Sequence, residues 1–138
     1  MKKLFILLLS VLVVTPAFAD QKLTRKQIYE LRQECKKRAA DFARMWQLCD
    51  GTSSYQNHYN KKLNICFINM KALCDLGNDI DKHSWIETLT DVSNNNECGN
   101  YVGSGGLFDD KLAICKVGNI QCNNLSDFWK LLKPYMEE

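Results

Sequence analysis

Leu112-Ala113-Ile114-Cys115-Lys116-Val117-Gly118-Asn119-Ile120-Gln121-Cys122 reads as two short strands closed by a two-residue turn. A glycine-first pair between aliphatic residues is the kind that closes a tight antiparallel hairpin. The turn sets the register: with Val117 facing Ile120, Lys116 faces Gln121 and Cys115 faces Cys122. Directly opposed residues lie about 4.5–5.5 Å apart at Cα, within the range a disulfide spans. The stretch therefore predicts an antiparallel sheet ending in a hairpin bonded through Cys115 and Cys122.

Toward the C-terminus, Ser126 is placed to cap a short last helix carrying Phe128, Trp129, Leu131 and Leu132, ended or bent near Lys133 by Pro134. Toward the N-terminus, the order is loop, strand, turn and strand. Gly103-Ser104-Gly105-Gly106 reads as a flexible loop, Cys98–Val102 as a short strand and Ser93–Asn96 as a turn. Trp85–Val92 has strand composition, and the polar run Asp75–Lys82 before it reads as a loop. Ser54–Tyr59 and Lys62–Met70 form a further hairpin around Asn60-Lys61, with Asn60 suited to a left-handed turn position. In its second strand Leu63, Ile65 and Phe67 share one face, while Cys66, Ile68 and Met70 share the other. A strand apolar on both faces is one covered on both sides.

The first helix is the best-marked element. Thr24 and Gln27 have capping-box spacing, and Leu23 and Ile28 can staple across the cap. Ile28, Leu31, Cys35, Ala39, Phe42, Met45 or Trp46, and Cys49 then recur at three- and four-residue steps, up to a stop at Asp50-Gly51. The fold class expected is α+β: an N-terminal amphipathic helix packed on an antiparallel sheet of about five strands, with a short C-terminal helix. Trp46, Trp85 and Trp129 are expected to build core.

Residues Met1–Ala19 have the zones of a secretory signal: Lys2 and Lys3, an apolar run Leu4–Val14, and a small-x-small site at Ala17-Phe18-Ala19. The apolar run is too short to span a hydrocarbon core, which needs about 20 residues. Asp20 after the cut is not a lipid-attachment cysteine. Cleavage leaves residues 20–138 as one domain with 16 basic and 16 acidic side chains. The balance is uneven, for Gln21–Leu48 holds eight Lys/Arg against three Asp/Glu, while Cys49–Glu138 holds eight against twelve. A basic helix can meet an anionic surface, but no nucleic-acid-reading motif accompanies it. The readings exclude nucleic acid as a partner and stable membrane insertion. They favour a monomer, with a covalent dimer as the alternative use of an odd cysteine.

All seven cysteines follow the signal, and cysteine in an exported chain is mostly a crosslink. Seven allow at most three internal bonds and leave one thiol. Cys35 and Cys49, placed on one helix about 21 Å apart, should not pair with each other; Cys66 or Cys74 could receive either. A third bond or the free thiol then falls among Cys49, Cys74 and Cys98. The surplus thiol with His58 or His83 as base is the one nucleophilic arrangement available. No C-x-x-C pair exists and only these two histidines are present, so neither a metal nor another cofactor is expected. Gly103–Gly106 lacks the Lys-Ser/Thr of a phosphate loop, and Asp109-Asp110 beside Lys111 reads as solvated charge. Cys49 to Cys66 and Cys98 to Cys115 have equal spacing, with similar residues before each second cysteine, which two hairpins under the same packing demands explain better than duplication.

His58-Tyr59-Asn60-Lys61-Lys62-Leu63-Asn64-Ile65-Cys66-Phe67 is the most distinctive polar segment, and it resembles the HYN-x-K-L-x-x-C-F segment of small exported bacterial proteins of uncharacterised activity. Those proteins share a cysteine in the preceding helix, where Cys35 stands here. They also share a late two-cysteine hairpin and an end like Pro134-Tyr135-Met136-Glu137-Glu138. The resemblance implies a common fold with Cys35–Cys66 and Cys115–Cys122 bonds, and it carries no activity. Cys49, Cys74 and Cys98 are additions to that pattern, and the final hairpin is shorter.

With no credible catalytic set, the chain is expected to be a non-enzymatic periplasmic or secreted binding protein, such as an inhibitor or host-facing factor. Its ligand would be a protein or another envelope or host component. The binding surface would be the basic helix face or the hairpin end bearing His58, Tyr59 and Asn60. A small hydrolase or thiol enzyme using the free cysteine is the alternative.

Overall fold

Helix α1 (Arg25–Met45) starts where the capping box places it. Thr24 Oγ1 accepts from the Gln27 N–H at 3.2 Å, and Gln27 Oε1 accepts from the Thr24 N–H at 2.8 Å. Such a cap is worth about 1 kcal/mol. These contacts belong to a computed structural model that describes residues 23–46, 49, 52–75, 83–105 and 111–137. The export segment 1–19, the Asp50-Gly51 stop, residues 76–82 of the expected loop, Gly106 and the Asp109-Asp110 pair lie outside the described residues.

The helix ends earlier than glycine at 51 suggests. Trp46 is already extended, at φ −108° and ψ 90°, and its N–H donates to the Phe42 carbonyl at 3.0 Å. Its ring stacks on Phe42 at 5.7 Å between centroids while staying 51% exposed, so it closes the last turn from outside the core. Cys49 is therefore not a helix residue, and its distance from Cys35 is not a helical rise.

The sheet is an antiparallel meander in sequence order: β1 (Thr52–Asn60), β2 (Ile65–Asp75), β3 (His83–Asp91), β4 (Asn96–Gly105), β5 (Lys111–Val117) and β6 (Ile120–Gln121). It has six strands where about five were expected, because the arm after Gly118-Asn119 pairs for two residues, Lys116↔Gln121 and Val117↔Ile120. That register is the one the glycine-first turn implies. Gly103 and Ser104 belong to β4, not to a loop, since they pair with Trp85 and Ser84. The glycine is needed there because a Cβ at Gly103 would stand 2.8 Å from the Tyr101 hydroxyl.

Two turns share one construction. Asn60 closes β1 and accepts through Oδ1 from the N–H groups of Lys62 (3.1 Å) and Leu63 (3.0 Å); Asn64 then takes φ 54°. Asp91 closes β3 and accepts from Ser93 (2.8 Å) and Asn94 (3.4 Å), and Asn95 takes φ 52°. Asparagine tolerates the left-handed region because its short polar side chain bonds locally. The first turn is thus residues 61–64 rather than Asn60-Lys61: Asn60 stays in the strand, and Leu63 leaves it, 48% exposed.

Helices cover opposite faces. Phe67, Leu89, Tyr101, Cys115 and Val117 meet Phe128 and Leu132 of α2 (Leu125–Met136). Ile68 and Met70 meet Ala39 and Phe42 of α1, and Tyr59 and Cys66 pack with Cys35. Alternate residues of β2 thus face different helices, which explains a strand apolar on both sides. Helix α2 is capped by Asn124, whose Oδ1 accepts from the Asp127 N–H at 2.9 Å, and not by Ser126. It also runs past Pro134 to Met136; proline in the last turn sacrifices one helical bond, with Glu137 N–H still reaching the Lys133 carbonyl at 2.8 Å. Of the tryptophans, Trp85 packs on the core, while Trp129, like Trp46, is half exposed at 47%.

Three disulfides tie these layers: Cys35–Cys66 joins α1 to β2, Cys49–Cys74 joins the chain after α1 to the far end of β2, and Cys115–Cys122 clamps the last hairpin. Three such bonds belong to an oxidising environment, extracellular or periplasmic. Among the described residues no helix is long and apolar enough to cross a membrane.

Candidate interaction site

The free thiol is Cys98. It is the extra residue of a β-bulge, because the β3–β4 register passes from Leu89↔Gly99 to Thr90↔Glu97. Burial pushes its pKa above the ordinary value; an Asp91 backbone bond opposes this, while the Asp91 and Glu97 carboxylates add to it. A thiol in that setting holds its proton and is a poor nucleophile. His58 lies three strands away on β1, about 14 Å at the usual strand spacing. His83 pairs with Gly105, seven residues along β4 from Cys98 and so about 23 Å away. The structure brings neither histidine to the thiol. Among the described residues no three His, Cys, Asp or Glu side chains gather as a metal-binding set.

The His58-Tyr59-Asn60 cluster divides by role. Tyr59 is buried, and its hydroxyl donates to Asn64 Oδ1 at 2.6 Å, bracing the turn. Asn60 is 1% exposed; besides capping the turn, its Nδ2 donates to the carbonyls of Pro134 (2.8 Å) and Tyr135 (3.2 Å). It therefore ties the C-terminal end of α2 to the β1–β2 turn. The two short segments that carry the family resemblance touch each other through this residue. His58 is half-buried opposite Phe67, on the α2 side of the sheet.

A second polar cluster escaped the sequence reading. Glu87 is fully buried on the α2 face, accepting from Asn69 Nδ2 at 2.7 Å and Trp129 Nε1 at 2.9 Å, with Lys71 Nζ at 3.4 Å. Lys71 also lies 5.4 Å above the Trp129 ring. The available signal was phase: Glu87 alternates with Trp85 and Leu89, so it had to point where they point. These contacts hold the middle of α2 against β2 and β3.

The surface feature suited to a ligand lies on the other side. A groove of about 340 Å³ is lined by Arg25, Ile28, Tyr29 and Arg32 of α1 and by Lys61 of the β1–β2 turn. Arg25, Tyr29 and Arg32 follow at four and three residues, so they share one helix flank. The basic helix face and the hairpin end, separate candidates in the sequence, meet here. Three of the five lining residues are cationic and none is acidic. The first turn of α1 holds no acidic side chain, so nothing there offsets the positive end of the helix dipole.

No family model, curated protein or solved structure matches the chain.

Proposed function

We propose that this chain is an exported, disulfide-stabilised interaction protein, and that it takes an acidic segment of a protein partner in the groove between α1 and the β1–β2 turn without covalent chemistry. The observation that carries the reading is the groove lining: Arg25, Arg32 and Lys61 beside the apolar surface of Ile28 and Tyr29. Its charge suits carboxylates, and its apolar part suits the side chains next to them. Arg25 opens α1 at the positive end of the dipole, a placement that costs the helix about 0.3–1 kcal/mol. Cations placed against the dipole favour a binding role over a stabilising one.

The oxidising environment places the encounter in the periplasm or the medium, where an inhibitor or host-facing factor would act. The kinship with small exported bacterial proteins belongs to the same reading. The thiol-enzyme alternative has less support, because Cys98 is protonated by its surroundings and distant from both histidines.

The test is titration of the oxidised protein with hexaglutamate and with hexalysine at low and high salt. The expected outcome is binding of the acidic peptide alone, weakened by salt and by the triple change Arg25→Glu, Arg32→Glu and Lys61→Glu. Arg25→Glu should leave the melting temperature unchanged or higher, since it complements the dipole. Equal binding of both peptides, or binding indifferent to the triple change, overturns the reading.

A further inference from the structure

We propose that the partner docks as an added strand: an extended peptide pairs with the outer edge of β1 and delivers an acidic residue to the groove at that strand's end. This rests on the groove reading above and names how the partner enters it.

The first strand in the sheet order has β2 on one side and, among the described residues, no strand on the other. Natural sheets blunt such edges with charged side chains, proline, bulges or very short strands. β1 uses none of these. Its nine residues, Thr-Ser-Ser-Tyr-Gln-Asn-His-Tyr-Asn, hold no Lys, Arg, Asp, Glu or Pro. Its register with β2 runs unbroken from Thr52↔Leu73 to Asn60↔Ile65, so no bulge turns it away. The opposite end of the sheet is blunted, since β6 is two residues long. Ser53 to Gln56 are exposed.

A bare edge is a template whose backbone N–H and C=O groups supply affinity to any extended chain. What selects a chain is the groove. Lys61 follows the last residue of β1, so a peptide lying along the edge runs toward Lys61, Arg25 and Arg32. β1 itself points toward the groove, so an antiparallel partner arrives there with its N-terminal residues. The partner is thus an extended segment with one or two acidic residues at its start, followed by alternating β-prone residues.

The experiment uses the oxidised protein and an acetylated nonapeptide, Glu-Glu followed by alternating Thr and Val. Two further versions are N-methylated at alternate residues, one in each phase. Strand addition uses every second peptide N–H, so one methylated version should lose at least about tenfold in affinity while the other retains it. Amide exchange over Ser53 to Asn57 should slow when the peptide binds, and replacing its glutamates with lysines should abolish binding. If both methylated versions bind alike and β1 amides are not protected, while the triple groove change still weakens binding, strand addition is wrong and the groove reading stands. If the nonapeptide fails to bind, or binds regardless of the groove change, both fail. Concentration-dependent dimers that protect β1 without peptide identify a second copy as the occupant and overturn the proposal.

Discussion

Asn60 Nδ2 donates to the Pro134 carbonyl at 2.8 Å across 74 residues of sequence, while its Oδ1 caps the turn that follows it. One buried side chain thereby fixes both the β1–β2 turn and the last turn of α2, where Pro134 has already removed a helical bond.

Asn60→Ala leaves two turn N–H groups and two α2 carbonyls without this partner. The expected loss is about 2–4 kcal/mol in urea unfolding, several times an ordinary hydrogen bond. Asn60→Asp keeps the acceptor and loses the donor, and it adds charge near the negative end of α2. It should also destabilise, with amide exchange rising in α2 more than in the turn.

Glu87 and Trp129 should be energetically coupled. Glu87→Ala removes the buried acceptor shared by Asn69, Lys71 and Trp129 and should cost about 3–5 kcal/mol. Trp129→Phe deletes only the indole donor and part of the ring over Lys71. A double-mutant cycle should return a coupling of about 0.5–3 kcal/mol; additive effects would show that the 2.9 Å contact does not hold α2.

Loop length ranks the disulfides. Cys35–Cys66 and Cys49–Cys74 close 31 and 25 residues, and Cys115–Cys122 closes 7. Chain entropy assigns about 3–4 kcal/mol to each long loop and about 2 kcal/mol to the short one. Paired Cys→Ser variants, measured by thermal unfolding, should fall in that order.

Cys98 should resist alkylation in the folded protein at neutral pH. Its pKa is raised chiefly by burial, so the folded state retains the proton where an ordinary thiol, near 8.5, begins to lose it. The sign follows: its contribution to stability is intact below the ordinary thiol pKa and is lost as pH rises through the folded value. Iodoacetamide labelling tracked by mass should be slow until denaturant is added. Rapid labelling at neutral pH that His58→Ala slows would favour the thiol-enzyme alternative.

Local signals in this chain were easy to read because they act over a few residues. The Thr24–Gln27 box, the Gly118-Asn119 turn with its register and the two-faced apolar pattern of β2 each need only neighbours. Boundaries set by distant contacts were not legible. The end of α1 at Met45 follows the chain's turn toward the Cys49–Cys74 bond, and Gly103 joins β4 because β3 pairs with it. The candidate site was half legible: both its parts were visible, but not their meeting.

By itself, the sequence determined the α+β class, the first helix start, the final hairpin and the surplus of one thiol, since periodicity, capping and turn chemistry are short-range. Tertiary structure alone decided that Asn60 grips α2, that Glu87 is buried under Trp129, and that Arg25, Arg32 and Lys61 line one groove. Those are contacts between residues far apart in the chain, and only closing the sheet between its two helices brings them within bonding or Coulombic reach.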